Sequence, residues 1–102
     1  MDRQAIEDAA ATLRDLPFPQ PPVDPDVGVW IMDVLDADTY YAGLAQSALA
    51  GAPFSRPPES SLSELADWLD ELRVPTPGDE EILDGCRTYF AALSALHEAL
   101  RS

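Results

Sequence analysis

The sequence contains no lysine: six arginines are its only strong bases, and nineteen aspartates and glutamates oppose them. The formal net charge at pH 7 is therefore −13 over 102 residues. A surface of this sign repels nucleic acid phosphates and anionic membranes, and it attracts basic proteins or metal cations. We therefore expect no direct binding to nucleic acid or to a membrane.

Cysteine and histidine each occur once, as Cys86 and His97. A single cysteine can form no intramolecular disulfide and no cysteine metal cluster, and it suits a reducing cytoplasm. One histidine cannot supply the Glu-x-x-His motifs that di-metal bundles need on two helices. We expect Cys86 to be a buried structural thiol and His97 to lie at the edge of an apolar stripe near a helix end.

Long apolar runs are also missing, since no stretch approaches the roughly 18 apolar residues that a membrane-spanning helix needs. The N-terminal residues include Asp2, Glu7 and Asp8, where a secretory signal would carry positive charge and an apolar run. Glycine-rich phosphate loops, zinc-ligand spacings and Ser-His-Asp motifs are absent. We therefore expect a soluble cytoplasmic protein.

What the sequence does contain is apolar residues at helical spacing, in four stretches separated by proline-rich connectors. The length and the 46% apolar share suit one helical domain over residues 1–102. These features predict an all-α fold, a small antiparallel four- or five-helix bundle with proline-rich connectors. The predicted helices cover about residues 2–16, 25–50, 61–74 and 77–101.

The number of predicted helices, four or five, depends on whether the second helix continues through Asp38. In a continuous second helix it would lie on the apolar stripe between Val34 and Tyr41, where a carboxylate is costly unless it is paired. We therefore favour a break near residues 36–38, with Asp36 or Asp38 capping a further segment.

Helix starts are signalled further along the chain. We expect the third helix to open with Ser60 or Ser61, and Ser61 with Glu64 forms a capping-box pattern. Thr76 followed by Pro77 predicts the start of the fourth.

Paired carboxylates occur on the third and fourth predicted helices: Glu64, Asp67, Glu81 and Asp84. Two such pairs on a firm frame can hold Mg²⁺, which prefers several oxygen ligands. The pattern resembles the ExxE and ExxD motifs of the MazG-type all-α nucleoside triphosphate pyrophosphatases, over about a fifth of the chain. The resemblance implies a Mg²⁺-dependent nucleotide pyrophosphatase, although Asp67 replaces the family's second glutamate and lysines for the triphosphate are absent.

The acidic excess is spread along the whole chain and so belongs to a folded surface instead of a tail. We expect a non-enzymatic regulatory or inhibitory accessory protein that docks on a basic protein surface. Three alternatives stay open: the Mg²⁺ enzyme, a nucleic-acid mimic that blocks a DNA-binding protein, and a homodimer that buries exposed aromatics. The candidate contact residues are the acids of the third helix and three aromatics: Glu64, Asp67, Asp70, Glu71, Tyr40, Phe54 and Trp68. Trp30 is a further aromatic candidate.

Overall fold

The computed structural model describes residues 2–19, 25–72 and 79–102. Within these ranges the chain forms four α-helices and no strand, so the predicted all-α class is confirmed. The signals at Thr76 and Pro77 lie outside the described residues. The helices are α1 (Arg3–Asp15), α2 (Pro25–Leu49), α3 (Ser63–Glu71) and α4 (Asp79–Arg101).

Helix α1 begins and ends where local chemistry dictates. The Asp2 carboxylate accepts a hydrogen bond from the Ala5 backbone N–H at 3.1 Å, which satisfies one of the free donors of the first turn. Leu16 is extended, as expected for a residue that precedes proline. Between these ends, α1 buries Ile6 and Leu13.

Helix α2 is continuous, and the break that we favoured near residues 36–38 is wrong. Asp38 is half-buried, as expected for a position on the apolar stripe. The hydroxyl of Tyr89 on α4 donates a hydrogen bond to its carboxylate. That bond offsets the cost of keeping Asp38 inside a continuous helix. Thr39 is helical as well, and its hydroxyl donates to the Leu35 carbonyl oxygen at 3.0 Å.

The end of α2 is a Schellman motif. Gly51 has a φ of +75°, in the left-handed region that glycine adopts at little cost. The Ala52 N–H then donates to the Ser47 carbonyl at 2.9 Å, and the Gly51 N–H donates to the Ala48 carbonyl at 3.2 Å. The motif satisfies the last carbonyls of α2 and turns the chain into the following connector.

Helix α3 begins at Ser63, and the predicted capping box is not formed. Leu62 occupies the N-cap position, and no side chain caps the helix. The Ser61 hydroxyl points instead to Tyr41 of α2 and His97 of α4. A long-range contact has therefore taken the group that the local pattern assigned to the helix end.

Three helices surround the inner side of α2: α4 packs on α1 and α2, α1 also packs on α2, and α3 packs on α2. Trp30 is at the centre, with no exposed surface. Its indole N–H donates to the Leu65 carbonyl of α3 at 2.9 Å, and its ring lies 5.7 Å from the Phe90 ring of α4. Trp30 is thus a core residue and not a surface anchor.

The core extends along all four helices. Its fully buried members of largest volume include Trp30, Tyr41, Ile6, Leu93, Leu96, Leu100, Val27 and Val34. Cys86 belongs to the same core. Among the described residues, none of the helices is both long enough and apolar enough to cross a bilayer.

Candidate functional site

The side of α2 that faces away from the core carries several exposed apolar side chains. Its large exposed residues, which we call the outer stripe, are Val29, Met32, Leu35 and Tyr40. With 3.6 residues per turn, they fall within an arc of about 140° opposite the buried side of the helix. Met32 is 68% exposed and the others about half. These four are the exposed large hydrophobic residues found in the described ranges, so apolar exposure is concentrated on this face.

Two carboxylates are interleaved with the outer stripe. Asp33 and Asp36 are both exposed, and within the described part of the chain neither forms an ion pair. The face therefore combines apolar side chains with unneutralised negative charge. Such a surface suits a partner that is itself apolar and basic.

The predicted contact residues are divided between this face and other parts of the fold. Tyr40 belongs to the outer stripe. Phe54 and Trp68 are half-buried and pack against the core, so they offer little free surface. The four acidic candidates are exposed on α3: Glu64, Asp67, Asp70 and Glu71.

Sequence reasoning missed three members of the outer stripe, Val29, Met32 and Leu35. A signal for them was present, because none of the three fits the stripe that Val27, Trp30 and its neighbours form. An apolar residue outside the core stripe of an amphipathic helix indicates exposure. A helix with several such residues is apolar on two sides.

The carboxylates of the Mg²⁺ alternative are not gathered into one site. Among the described residues, no three His, Cys, Asp or Glu side chains lie close enough together to hold a metal ion. The four carboxylates of that alternative, Glu64, Asp67, Glu81 and Asp84, are all among the described residues. Asp84 instead pairs with Arg87, at 2.9 Å, on the exposed surface of α4.

A polar cluster of Tyr41, Ser61 and His97 joins α2, the connector before α3, and α4; Tyr41 and His97 are buried, whereas Ser61 is exposed. His97 is only 3% exposed, which corrects the expected position at the edge of the stripe. Its Nδ1 lies 2.7 Å from the Tyr41 hydroxyl and 3.3 Å from Ser61 Oγ, and the two hydroxyls also contact each other. Burial raises the pKa of Tyr41, so its hydroxyl keeps its proton at neutral pH.

The chemistry available to this cluster is limited. Ser61 shares Nδ1 of His97 with Tyr41, so the imidazole is not dedicated to activating the serine. Among the described residues, the nearest carboxylate oxygen, from Glu98, is 3.9 Å from Nε2, and Nε2 has no hydrogen-bond partner there. Neither of the two clefts described next is lined by Ser61 or His97. The contacts of the cluster tie three segments of the fold together.

One cleft opens between α1, α2 and α4 and has a volume of about 510 Å³. Most of its lining is apolar, with Phe18 packed edge-on against Tyr89 at a ring separation of 5.2 Å. Asp38, Arg14 and Gln46 provide its charged and amide groups. The apolar side chains in its wall are Leu13, Leu16, Phe18, Leu49 and Leu96, with several alanines.

A second cleft of about 460 Å³ lies between α1 and α4. Its lining is mainly alanine, with Asp8 and Glu98 among its polar members. The small side chains leave a shallow groove without a convergent set of polar groups.

A comparison with protein-family models, with curated proteins and with solved structures finds no match to this chain.

Proposed function

We propose that the protein is a non-enzymatic binding module that docks on a basic amphipathic helix of another protein through the outer stripe of α2. The carrying observation is the exposure of Val29, Met32, Leu35 and Tyr40 on one side of a helix whose other side is fully used by the core. Regulation or inhibition of the partner is the role that such a module would serve.

The apolar residues would supply most of the affinity. Fully burying a side chain such as Leu or Met contributes roughly 1.5–3 kcal/mol relative to full exposure. Residues that are already half-covered retain about half of that gain, so Met32, at 68% exposed, offers the largest share. Apolar anchors also favour this proposal over a nucleic-acid mimic, whose contacts would depend on charge.

The charges would select the partner. Asp36 lies within the arc of the outer stripe and Asp33 lies beside its edge, so a basic side chain next to the partner's apolar residues would meet them directly. The exposed acids of α3 and the net charge of −13 would accelerate the encounter from a distance. The expected partner is therefore a helix with apolar residues at i, i+3 and i+4 and with Lys or Arg beside them.

Defined peptides test the proposal directly. The probes are an 18-residue amphipathic helix of Leu and Lys and the same peptide with Glu in place of Lys, titrated in calorimetry at two salt concentrations. We expect the basic peptide alone to bind, and higher salt to weaken it. In ¹H–¹⁵N spectra, the amides of α2 near Met32 should shift.

Two double variants separate the surfaces. Met32→Ser/Leu35→Ser should weaken the basic peptide about tenfold or more, because two apolar contacts are lost. Asp33→Asn/Asp36→Asn should weaken it and reduce the salt dependence. The matched control, Glu64→Gln/Asp67→Asn, removes equal charge from α3 and should change affinity less than about twofold at moderate salt.

Three results would overturn the proposal. The first is unchanged affinity in Met32→Ser/Leu35→Ser. The second is a loss that follows the α3 variant, which would move the docking surface to that helix. The third is a wild-type dimer in sedimentation that becomes monomeric in Met32→Ser/Leu35→Ser, which would make the outer stripe a contact between copies.

A further inference from the structure

The cleft between α1, α2 and α4 has the properties of a small-molecule site. Its volume of about 510 Å³ lies within the range of about 300–1,000 Å³ that ligand pockets occupy. Leucines, alanines and one phenylalanine line it, and few polar groups converge on it. Such a cavity gains affinity from an apolar body and orientation from its polar groups.

Asp38 is the group that gives the cleft a preference for a positively charged ligand group. Its carboxylate is half-buried, and the Tyr89 hydroxyl donates to it. A carboxylate has about four acceptor positions, so the one donor found in the described part of the chain leaves most of them open to a ligand. In the described ranges no basic side chain lies within ion-pair distance of Asp38.

Tyr89 cannot neutralise this charge. Burial raises the pKa of Tyr89, and the neighbouring Asp38 raises it further, so the phenol keeps its proton and stays a donor. The cleft thus holds a carboxylate in apolar surroundings with one neutral hydrogen bond. An arriving cation would replace lost hydration and add a charge-assisted bond.

We propose that this cleft binds a small primary amine with an apolar body, the ammonium group at Asp38 and the apolar part among Leu13, Leu16 and Leu49. This site is separate from the outer stripe of α2 and does not depend on the docking function. Arg14 also lines the cleft, and its positive charge disfavours a ligand with a second ammonium group.

The test uses hexylamine, with hexanol and hexanoate as probes of equal apolar length. Binding is followed at pH 7 by ¹H–¹⁵N shifts of Gln46 and Tyr89, which line the cleft. We expect saturable shifts with hexylamine and affinities at least about tenfold weaker for hexanol and hexanoate. Glu98→Gln, in the second cleft, is the control variant and should bind hexylamine as the wild type does.

Three variants sharpen the result. Asp38→Asn should bind hexylamine and hexanol equally, because only the charge preference is removed. Ala42→Leu should weaken both, since Ala42 lines the cleft and a larger side chain fills it. Arg14→Gln should strengthen hexylamine binding by about two- to threefold through loss of a like charge.

The proposal fails if hexanol or hexanoate binds as tightly as hexylamine, or if hexylamine produces no saturable shift. It also fails if a folded Asp38→Asn variant retains the preference for the amine. Should Asp38→Asn not fold by circular dichroism, Ala42→Leu and Arg14→Gln decide: unchanged hexylamine affinity in both would place binding outside this cleft.

Discussion

Removing one hydroxyl from the polar cluster tests how much that cluster stabilises the fold. In Tyr41→Phe the aromatic ring keeps its edge-on packing against His97, but Nδ1 loses its partner at 2.7 Å. A buried polar atom left without a partner costs about 1–3 kcal/mol. Ser61 Oγ lies 3.3 Å from the same nitrogen and can replace part of the lost bond. We therefore expect Tyr41→Phe to lower the free energy of unfolding by about 1–2 kcal/mol.

Two backgrounds isolate the cause. In Ser61→Ala the replacement donor is gone, so Tyr41→Phe should cost more there, about 2–3 kcal/mol. In His97→Leu the nitrogen itself is gone, and Tyr41→Phe should cost less than in the wild type, because only the contact of its hydroxyl with Ser61 Oγ is lost. The difference between the loss in the wild type and the loss in His97→Leu measures the coupling between the hydroxyl and the imidazole.

The assay is urea unfolding at pH 7, followed by far-ultraviolet circular dichroism. With a slope of about 1 kcal/mol per molar for a chain of this size, Tyr41→Phe should lower the midpoint by about 1–2 M at constant slope. Tyr40→Phe is the matched control, because Tyr40 is about half exposed and its midpoint should stay near that of the wild type. An equal loss for Tyr41→Phe in the wild-type and His97→Leu backgrounds would refute the reasoning.

Two further predictions concern the backbone and the buried thiol. An added Cβ meets nothing within 4 Å at Gly51 or at Gly43, so only the backbone conformation distinguishes the two positions. Gly51→Ala should lower the free energy of unfolding by about 1 kcal/mol, because its φ is +75°, whereas Gly43→Ala, inside α2, should raise it by about 0.5–1 kcal/mol. Changes of the same sign in urea unfolding would contradict this. Burial raises the pKa of the Cys86 thiol from 9.0 to about 11. The contribution of the protonated thiol to the free energy of unfolding is therefore complete below pH 9 and is lost as pH rises through about 11. The melting temperature should fall less steeply between pH 9 and 10 in Cys86→Ala than in the wild type, and identical slopes would exclude the thiol as a cause.

The helical class was predictable because it depends on local information. Apolar residues at helical spacing predict an amphipathic helix from a few turns of sequence, and prolines and Gly51 mark where such a helix ends. The residues that fill the spacing on α2, such as Val27 and Val34, are buried. Neither inference needs to know what the helix packs against.

The errors at Asp38 and Ser61 have one common cause, which is a partner far along the chain. Asp38 stays in a continuous helix because Tyr89 reaches it from α4. Ser61 leaves its expected capping role for Tyr41 and His97, which come from two other helices. Local rules assign each polar group to a hydrogen-bond partner close in sequence, whereas in the fold these two side chains bond to partners on other helices.

The outer stripe shows what sequence can supply only in part. The apolar character of Val29, Met32 and Leu35 is evident from the sequence, but exposure depends on where the neighbouring helices pack. Helices α1, α3 and α4 pack on α2 and leave these three side chains exposed. The candidate site therefore became visible only when the packing was known.

The outer face of α2 also bears on the colloidal behaviour of the protein. Every copy exposes the same apolar stripe, so two copies that touched there would each cover it. At pH 7 a net charge of −13 on each copy opposes such a collision. That repulsion vanishes near pH 4.1, where the net charge reaches zero, and 1 M salt shortens its range to about 3 Å. The acidity that suits α2 to a basic partner thus also disperses the protein, and concentrated solutions should be kept well above pH 4.1 at modest ionic strength.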